Sequence, residues 1–368
     1  MAEKMTIPFV DLARQFRSIE AELTKAFVDV GRSGGYIMGA RLESFERKVA
    51  EFIGVRHALG VADGSDALFL VLKALDIGPG DEVITATNSF IASAWVIVAA
   101  GATPVLVDVA EDFNIDPKLV EAAVTPRTKA IIPVHLTGRP APMDEINAIA
   151  QKHGLFVLED AAQAIGSRYR GKRAGALGHA AGFSLHPLKN LGVYGDGGLI
   201  TTDDDALAAK LLKLRNHGLR NRDECEIWGF NSRLDTMQAA FAEVKLGYLD
   251  GWNARCRVIA KAYATGLADC VQVPVDQAWE ESVYHNFVIR TDQRDALMAH
   301  LLQNGVDTRV HYPIPIHLQD AAKNLPYKPG DFPNAERYAK TMISLPIYPE
   351  LSDVEVAHVV QSVRSFFR

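Results

Sequence analysis

The chain has 368 residues, 48% of them hydrophobic, which is enough to bury a large core, and single cores stop growing near ~250–300 residues, so two domains are predicted. A formal net charge of −6 excludes a broad basic field for nucleic acid or anionic lipid. No run of about 18 apolar residues is present to span a bilayer.

Residues 1–6 contain no apolar run before Pro8, so no leader is expected and a cytoplasmic protein is the default. The three cysteines, Cys225, Cys256 and Cys270, lack CxxC spacing and predict neither a disulfide framework nor a metal site.

Helical periodicity opens the chain over residues 12–30 and 41–53. Short apolar runs then recur at 57–62, 82–86, 104–109, 130–134, 155–158, 180–184 and 199–202, and most are apolar on both sides of the pleat. Between them, helices are predicted at 65–75, 92–100, 117–123, 143–152 and 204–216, with Asp116, Asp144 and Asp203 to Asp205 offering helix-start chemistry. This alternation predicts an α/β fold, a mostly parallel sheet covered by helices. After Tyr248 the texture changes to a long helix at 252–267, mixed strands and prolines, and a last helix at 353–367. The expected division is therefore a large domain over 1–247 and a smaller α+β domain over 248–368. The longest irregular stretch is 218–235.

Lysine is rarely buried without cause, yet Lys189 lies shortly after a strand in an apolar, glycine-rich run, Gly182-Phe183-Ser184-Leu185-His186-Pro187-Leu188-Lys189-Asn190-Leu191-Gly192. A desolvated lysine loses its proton more easily and becomes a nucleophile for carbonyls. The run Leu155-Phe156-Val157-Leu158-Glu159-Asp160 ends a buried strand in two acids, and ligands of open α/β sheets sit outside the carboxyl ends of strands. The plainer reading of Asp160 alone is a cap on a helix entered through Ala161 and Ala162. In Gly60-Val61-Ala62-Asp63-Gly64-Ser65-Asp66 a strand turns through glycine into a helix start, which leaves backbone N–H groups aimed outward for a phosphate. Taken alone, that stretch is an ordinary N-cap.

One cofactor uses all these parts together. Pyridoxal 5'-phosphate takes a lysine amine (Lys189), an acid against its ring nitrogen (Asp160), and donors around its phosphate (Gly64, Ser65 and Ser184). A nicotinamide dehydrogenase also fits the α/β alternation, but no G-x-G-x-x-G follows the first strand, so no such site is expected.

An ordered series of motifs runs through Ile7-Pro8-Phe9-Val10-Asp11-Leu12, Tyr36-Ile37-Met38-Gly39, Gly64-Ser65-Asp66-Ala67-Leu68 and Gly78-Pro79-Gly80-Asp81. It continues with Val134-His135-Leu136-Thr137-Gly138, Glu159-Asp160-Ala161-Ala162-Gln163, Gly229-Phe230-Asn231-Ser232-Arg233 and His311-Tyr312-Pro313-Ile314-Pro315. In this series the chain resembles the sugar aminotransferases of the DegT/DnrJ/EryC1/StrS family, fold-type I pyridoxal-phosphate enzymes. The resemblance implies a seven-stranded large domain, Lys189 as the cofactor-linked lysine and proton shuttle, Asp160 at the ring nitrogen, Gln163 at the ring hydroxyl and Phe90 stacked on the ring. It further implies Ser65 and Ser184 at the phosphate, and Asn231 reaching into the neighbouring subunit's site, hence a homodimer with shared active sites.

His186 stands where several family members have histidine, which implies either a role near the substrate or a ring bonded to backbone. Leu185 departs from the family, which usually has an aromatic there. Relatives acting as dehydratases have histidine in place of the lysine, so Lys189 points to transamination. The implied reaction moves an amino group from L-glutamate to a keto sugar, nucleotide-linked in the family's manner, for aminosugars of surface polysaccharide or secondary metabolites. Amination of a 3-deoxy-octulosonate-type keto acid sugar, and a regulatory member of the fold without turnover, are the alternatives.

Overall fold

Seven five-residue strands form the central sheet: β1 His57–Val61, β2 Glu82–Ala86, β3 Thr103–Val107, β4 Thr128–Ile132, β5 Phe156–Asp160, β6 Ala180–Ser184 and β7 Gly198–Thr202. They belong to a computed structural model that describes residues 5–368; the leaderless reading of residues 1–4 lies outside the described residues. The strand order is β1-β7-β6-β5-β4-β2-β3. All neighbours are parallel except β7, which runs against both β1 and β6. Every residue of β2 and β7 is buried, as expected of strands covered by helices on both faces. This is the α/β architecture predicted from the alternation of apolar runs and helical segments.

Three of the covering helices start on aspartates, two of them, Asp116 and Asp204, among the predicted acids. Asp63 caps Gly64–Ala74, Asp116 caps Pro117–Ala122 with proline in the first turn, and Asp204 caps Asp205–Leu214. Asp144 differs, because helix Met143–His153 begins one residue earlier, behind Pro142. Its carboxylate instead meets Arg170 at 2.6 Å. The single helix expected over 12–30 is two, Leu12–Ser18 and Glu20–Ser33. Ile19 breaks it with φ −132° and its side chain is buried.

The carboxyl ends of β1 to β6 share one edge of the sheet, and β7 begins there, so the connecting loops of the whole parallel array converge at that edge. Strand β5 sorts its two terminal acids by the two-residue pleat, which sends neighbours to opposite faces. Glu159 is fully buried and takes the N–H groups of Gly175, Leu177 and Gly178 at 2.7–2.8 Å. His135 also reaches it at 2.8 Å. Because His135 Nδ1 accepts the Ala141 N–H, its Nε2 carries the proton donated to Glu159. The same His135 donates its backbone N–H to the Asp160 carbonyl at 3.0 Å.

A separate apolar core carries the carboxyl-terminal part. Helices Leu249–Leu267, Arg294–Gln303 and Asp353–Phe366 surround the antiparallel pair β8 Phe287–Arg290 and β9 Met342–Leu345. Tyr263 and Phe287 are fully buried there, and Ile7 from the amino-terminal strap packs into the same cluster. Arg14 on the first helix grips Glu355 on the last through two 2.9 Å bonds, which fastens that strap. A small sheet of Arg168–Tyr169, Lys172–Arg173 and Glu280–Glu281 joins the two parts, and residues this short give no periodicity to read in advance. Among the described residues, no helix is long and apolar enough to cross a membrane.

Glu159→Ala strips four donors of their buried acceptor, and a loss of about 3 kcal/mol or more is expected in urea unfolding. A loss below ~1 kcal/mol would contradict the role given to this carboxylate.

Candidate active site

Lys189 sits in the loop 185–197 that turns β6 back into the antiparallel β7. The loop is closed at its base by Leu185 N–H to Gly197 O at 2.7 Å and Val193 N–H to Leu185 O at 2.8 Å. Asn190, next to the lysine, donates to Asn253 Oδ1 at 2.9 Å and to Val283 O at 3.2 Å, which ties the loop to helix Leu249–Leu267. Among the described residues the Lys189 amine has no hydrogen-bond or ion-pair partner. Lys189 is half-buried on a cleft wall. Desolvation there draws its pKa from the ordinary 10.5 down to about 8, while Asp160 acts in the opposite sense.

A low pKa alone does not single it out. Lys245 is also pulled to about 8 by burial. Its amine, however, donates to Gly192 O at 2.7 Å and lies 4.3 Å from the centre of the Tyr194 ring, so it is already engaged. Lys189 alone of the two presents a free amine to a cleft.

Asp160, on the face of β5 opposite Glu159, is buried, and its two oxygens are held by different groups. Ser93 Oγ donates to Oδ2 at 2.7 Å and the Ala162 N–H reaches Oδ1 at 3.2 Å. No helix follows Asp160, so the capping alternative does not apply. Gln163, also buried, accepts the Thr137 N–H at 2.7 Å and donates Nε2 to the Tyr312 hydroxyl at 3.1 Å. Burial, with the Asp160 charge second, raises the Tyr312 pKa and keeps that phenol neutral. Phe90 is 55% exposed, 5.9 Å from the Tyr312 ring, and so is no core residue.

The corner of β1 and β6 differs from expectation. Asp63 Oδ1 already accepts the N–H groups of Ser65 at 2.7 Å and Asp66 at 2.9 Å, so these amides are not aimed free at a ligand. What remains there is the Gly64 N–H with the hydroxyls of Ser65 and Ser184. Ser184 Oγ accepts the His186 N–H at 3.3 Å, which leaves its own proton to donate. Glycine is required at 64 because a Cβ would stand 2.7 Å from that of Ser184.

His186 is exposed, and its Nδ1 accepts the Leu188 N–H at 3.3 Å, in keeping with the backbone-bonded alternative. Asn231 is exposed and takes no part in the contacts that join Asp160, Gln163 and Tyr312. Arg220 is paired with Glu224 and Arg233 with Asn216, so both brace the irregular segment. Sequence reasoning missed Ser93, Ser89 and Tyr312, as well as two histidines near the lysine. Burial, with Lys189 as the next cause, lowers His285 well below 6.5 and His311 to about 4. The missed residues arrive from three segments, 87–93, the stretch around His285 and the run His311-Tyr312, and only the last carried a motif, to which no role in the site was given. A broad surface concavity lies at the opposite edge, near the strand starts at Lys129 and Phe156, and contains none of the site residues.

A mostly parallel sheet whose strand ends gather a free lysine amine, a buried carboxylate and a serine corner defines a pyridoxal-phosphate enzyme of the fold-type I class. Residues 17–364 match the DegT/DnrJ/EryC1/StrS aminotransferase family, and the chain belongs to it. Over 368 residues it is 46% identical to the dTDP-3-amino-3,4,6-trideoxy-alpha-D-glucose transaminase of Streptomyces venezuelae, covering 99% of this chain and 97% of that protein. It is also 45% identical to a pleiotropic regulatory protein of Geobacillus stearothermophilus, with 99% of each covered. The crystal structure of S. venezuelae DesV in complex with a ketimine intermediate superposes with a TM-score of 0.96 at 46% identity, over 98% of each chain. The protein is a pyridoxal-phosphate-dependent sugar aminotransferase.

The residues present fit that cofactor. An unpartnered amine of lowered pKa faces a buried carboxylate that keeps an acceptor lone pair, and a Cβ at residue 64 would close the serine corner.

Protonated amine does not attack an aldehyde, so capture of pyridoxal 5'-phosphate by the apo protein should accelerate as pH rises. A half-maximum near 8 is expected, followed by a plateau, when the rate is followed by absorbance. A rate still climbing toward 10.5 would show that Lys189 is not desolvated.

Proposed function

We propose that this aminotransferase moves the amino group of L-glutamate onto a nucleotide-linked keto sugar, in a site shared by two copies of the chain. The observation that carries the reading is the free Lys189 amine, of pKa about 8, opposite the buried Asp160 carboxylate. The transaminase relatives, whose names specify dTDP- and UDP-linked amino sugars, support the nucleotide-linked acceptor.

When bound, pyridoxal 5'-phosphate supplies an aldehyde for amine exchange and a ring that accepts electrons. Lys189 in its neutral form provides the nucleophile and, once released, a base that carries a proton between adjacent carbons. Asp160 would face the ring nitrogen, where its negative charge would favour the protonated form. Gln163, already fixed through Thr137 and Tyr312, is placed to meet the ring oxygen. Phe90 would cover one face of the ring, and Gly64 N–H, Ser65 and Ser184 would hold the phosphate. Neutral His285 and His311 keep further positive charge away from the lysine and so favour its free-base form.

Asn231 completes the site of the partner subunit in this reading, which its exposed position supports. The reading also divides the chain at residues 247 and 248; the separate apolar core around Tyr263 and Phe287 supports that boundary.

Incubation with L-glutamate should convert the cofactor to its amine form, and a nucleotide-linked keto sugar should restore it. Conversion without restoration by any such sugar would overturn the acceptor class. No conversion at all would favour a regulatory role, a name one close relative carries.

The shared site predicts complementation. Lys189→Ala and Asn231→Ala are each expected to be poor alone, but random mixing leaves about one quarter of sites with both wild-type residues. Activity after refolding the mixture should exceed the sum of the separate variants; equality would place Asn231 outside the partner's site.

A further inference from the structure

The carboxylate that faces the lysine is not held by its own strand alone. Torsion about the last bond of an aspartate is broad, so burial without hydrogen bonds would leave its two oxygens interchangeable. Here they are unlike. Oδ2 takes a 2.7 Å bond from Ser93 Oγ, and Oδ1 has only the 3.2 Å contact from the Ala162 amide.

Ser93 lies in the first turn of helix Ala92–Ala100 and is fully buried. A hydroxyl has one proton, and Ser93 spends it on Asp160. The 2.8 Å contact between Ser89 Oγ and Ser93 Oγ is therefore donated by Ser89. The result is a directed chain, Ser89 to Ser93 to Asp160, in which all three side chains are buried and the first two sit four residues apart across the helix start.

The origin of the chain matters as much as its end. Ser89 precedes Phe90, and Thr87, two residues before Ser89, is pinned by its carbonyl to the Ile316 N–H at 2.9 Å. The Thr87 hydroxyl lies 2.8 Å from His317 Nδ1, and His317 Nε2 lies 3.1 Å from Glu336. Residues 87–93 are thus clamped from outside while they clamp the acid inside. The same short segment carries the exposed Phe90.

We propose that Ser93, oriented by Ser89, is a positioning residue for the cofactor's ring. It locks the rotation of Asp160 so that one fixed oxygen, Oδ1, is presented to the ring nitrogen. The inference rests on the reading that Asp160 meets that nitrogen. It assigns a task to two serines that otherwise serve only to satisfy each other.

The test compares Ser93→Ala, Ser89→Ala and Asp160→Asn with the unaltered holoenzyme. Three readouts are taken: the dissociation constant of pyridoxal 5'-phosphate from the apo protein, the pH midpoint of the bound cofactor's visible band, and the melting temperature. A ring nitrogen less firmly protonated withdraws fewer electrons, so the midpoint should move upward. We expect Ser93→Ala to weaken cofactor binding about tenfold, the loss of one hydrogen bond to a charged group, and to raise the midpoint. Ser89→Ala should do the same more weakly, Asp160→Asn more strongly, and Ser93→Thr, which keeps the hydroxyl, should restore the midpoint.

A merely structural serine would lower the melting temperature alone. The inference is overturned if Ser93→Ala leaves binding and midpoint within twofold and within experimental scatter while Asp160→Asn moves both. If Asp160→Asn also moves neither, the reading of Asp160 itself fails, and the two failures are thereby told apart.

Discussion

The site depends on the pleat at the end of strand Phe156–Asp160, which gives two adjacent carboxylates opposite fates. Glu159 turns into a set of three amides and a neutral histidine and is wholly satisfied there. Asp160 turns the other way, toward a lysine with no partner. A slip of one residue in register would exchange these faces, burying Asp160 among the amides and presenting Glu159 to the cleft. The register is held where it matters, since Asp160 N–H bonds Pro133 O at 2.8 Å and its carbonyl receives the His135 N–H. Structure and chemistry are therefore joined at one strand end: His135 serves the scaffold through its ring and the active strand through its backbone.

Lys189 and Lys245 show why desolvation is necessary but not sufficient for a nucleophile. Both are depressed to about 8 by burial. One is spent on a carbonyl and an aromatic face, while the other is carried on a loop whose base is closed and whose neighbour Asn190 is tied to a distant helix. A mobile lysine would reach solvent and regain its ordinary basicity. The rigid loop keeps it on the cleft wall, and the surrounding neutral histidines add no charge. The antiparallel β7 serves the same end, because a chain that reverses directly after β6 must place its turn at the carboxyl edge of the sheet.

Much of this was legible in the sequence because it is local. Short apolar runs marked all seven strands, acids before helical periods marked two caps, and a lysine among glycines after a strand marked the amine that the structure leaves without a partner. What was not legible is assembled from distance. Ser93 and Tyr312 read as an ordinary helix residue and a loop aromatic until β2's loop and the segment after His311 are brought to the end of β5. At the start of helix Gly64–Ala74 the choice between free and capped amides was hidden for a different reason. A helix start shows its orphan amides in sequence, but whether the capping aspartate consumes them depends on a side-chain rotamer, and Asp63 does consume two. The break at Ile19 was hidden because its apolar side chain fits a helical period on either side.

The most direct measurement is to reduce the holoenzyme with borohydride and map the phosphopyridoxyl group on its peptides. The account predicts a single modified residue, Lys189. Modification at Lys245, or none on the peptide that carries residue 189, would contradict it.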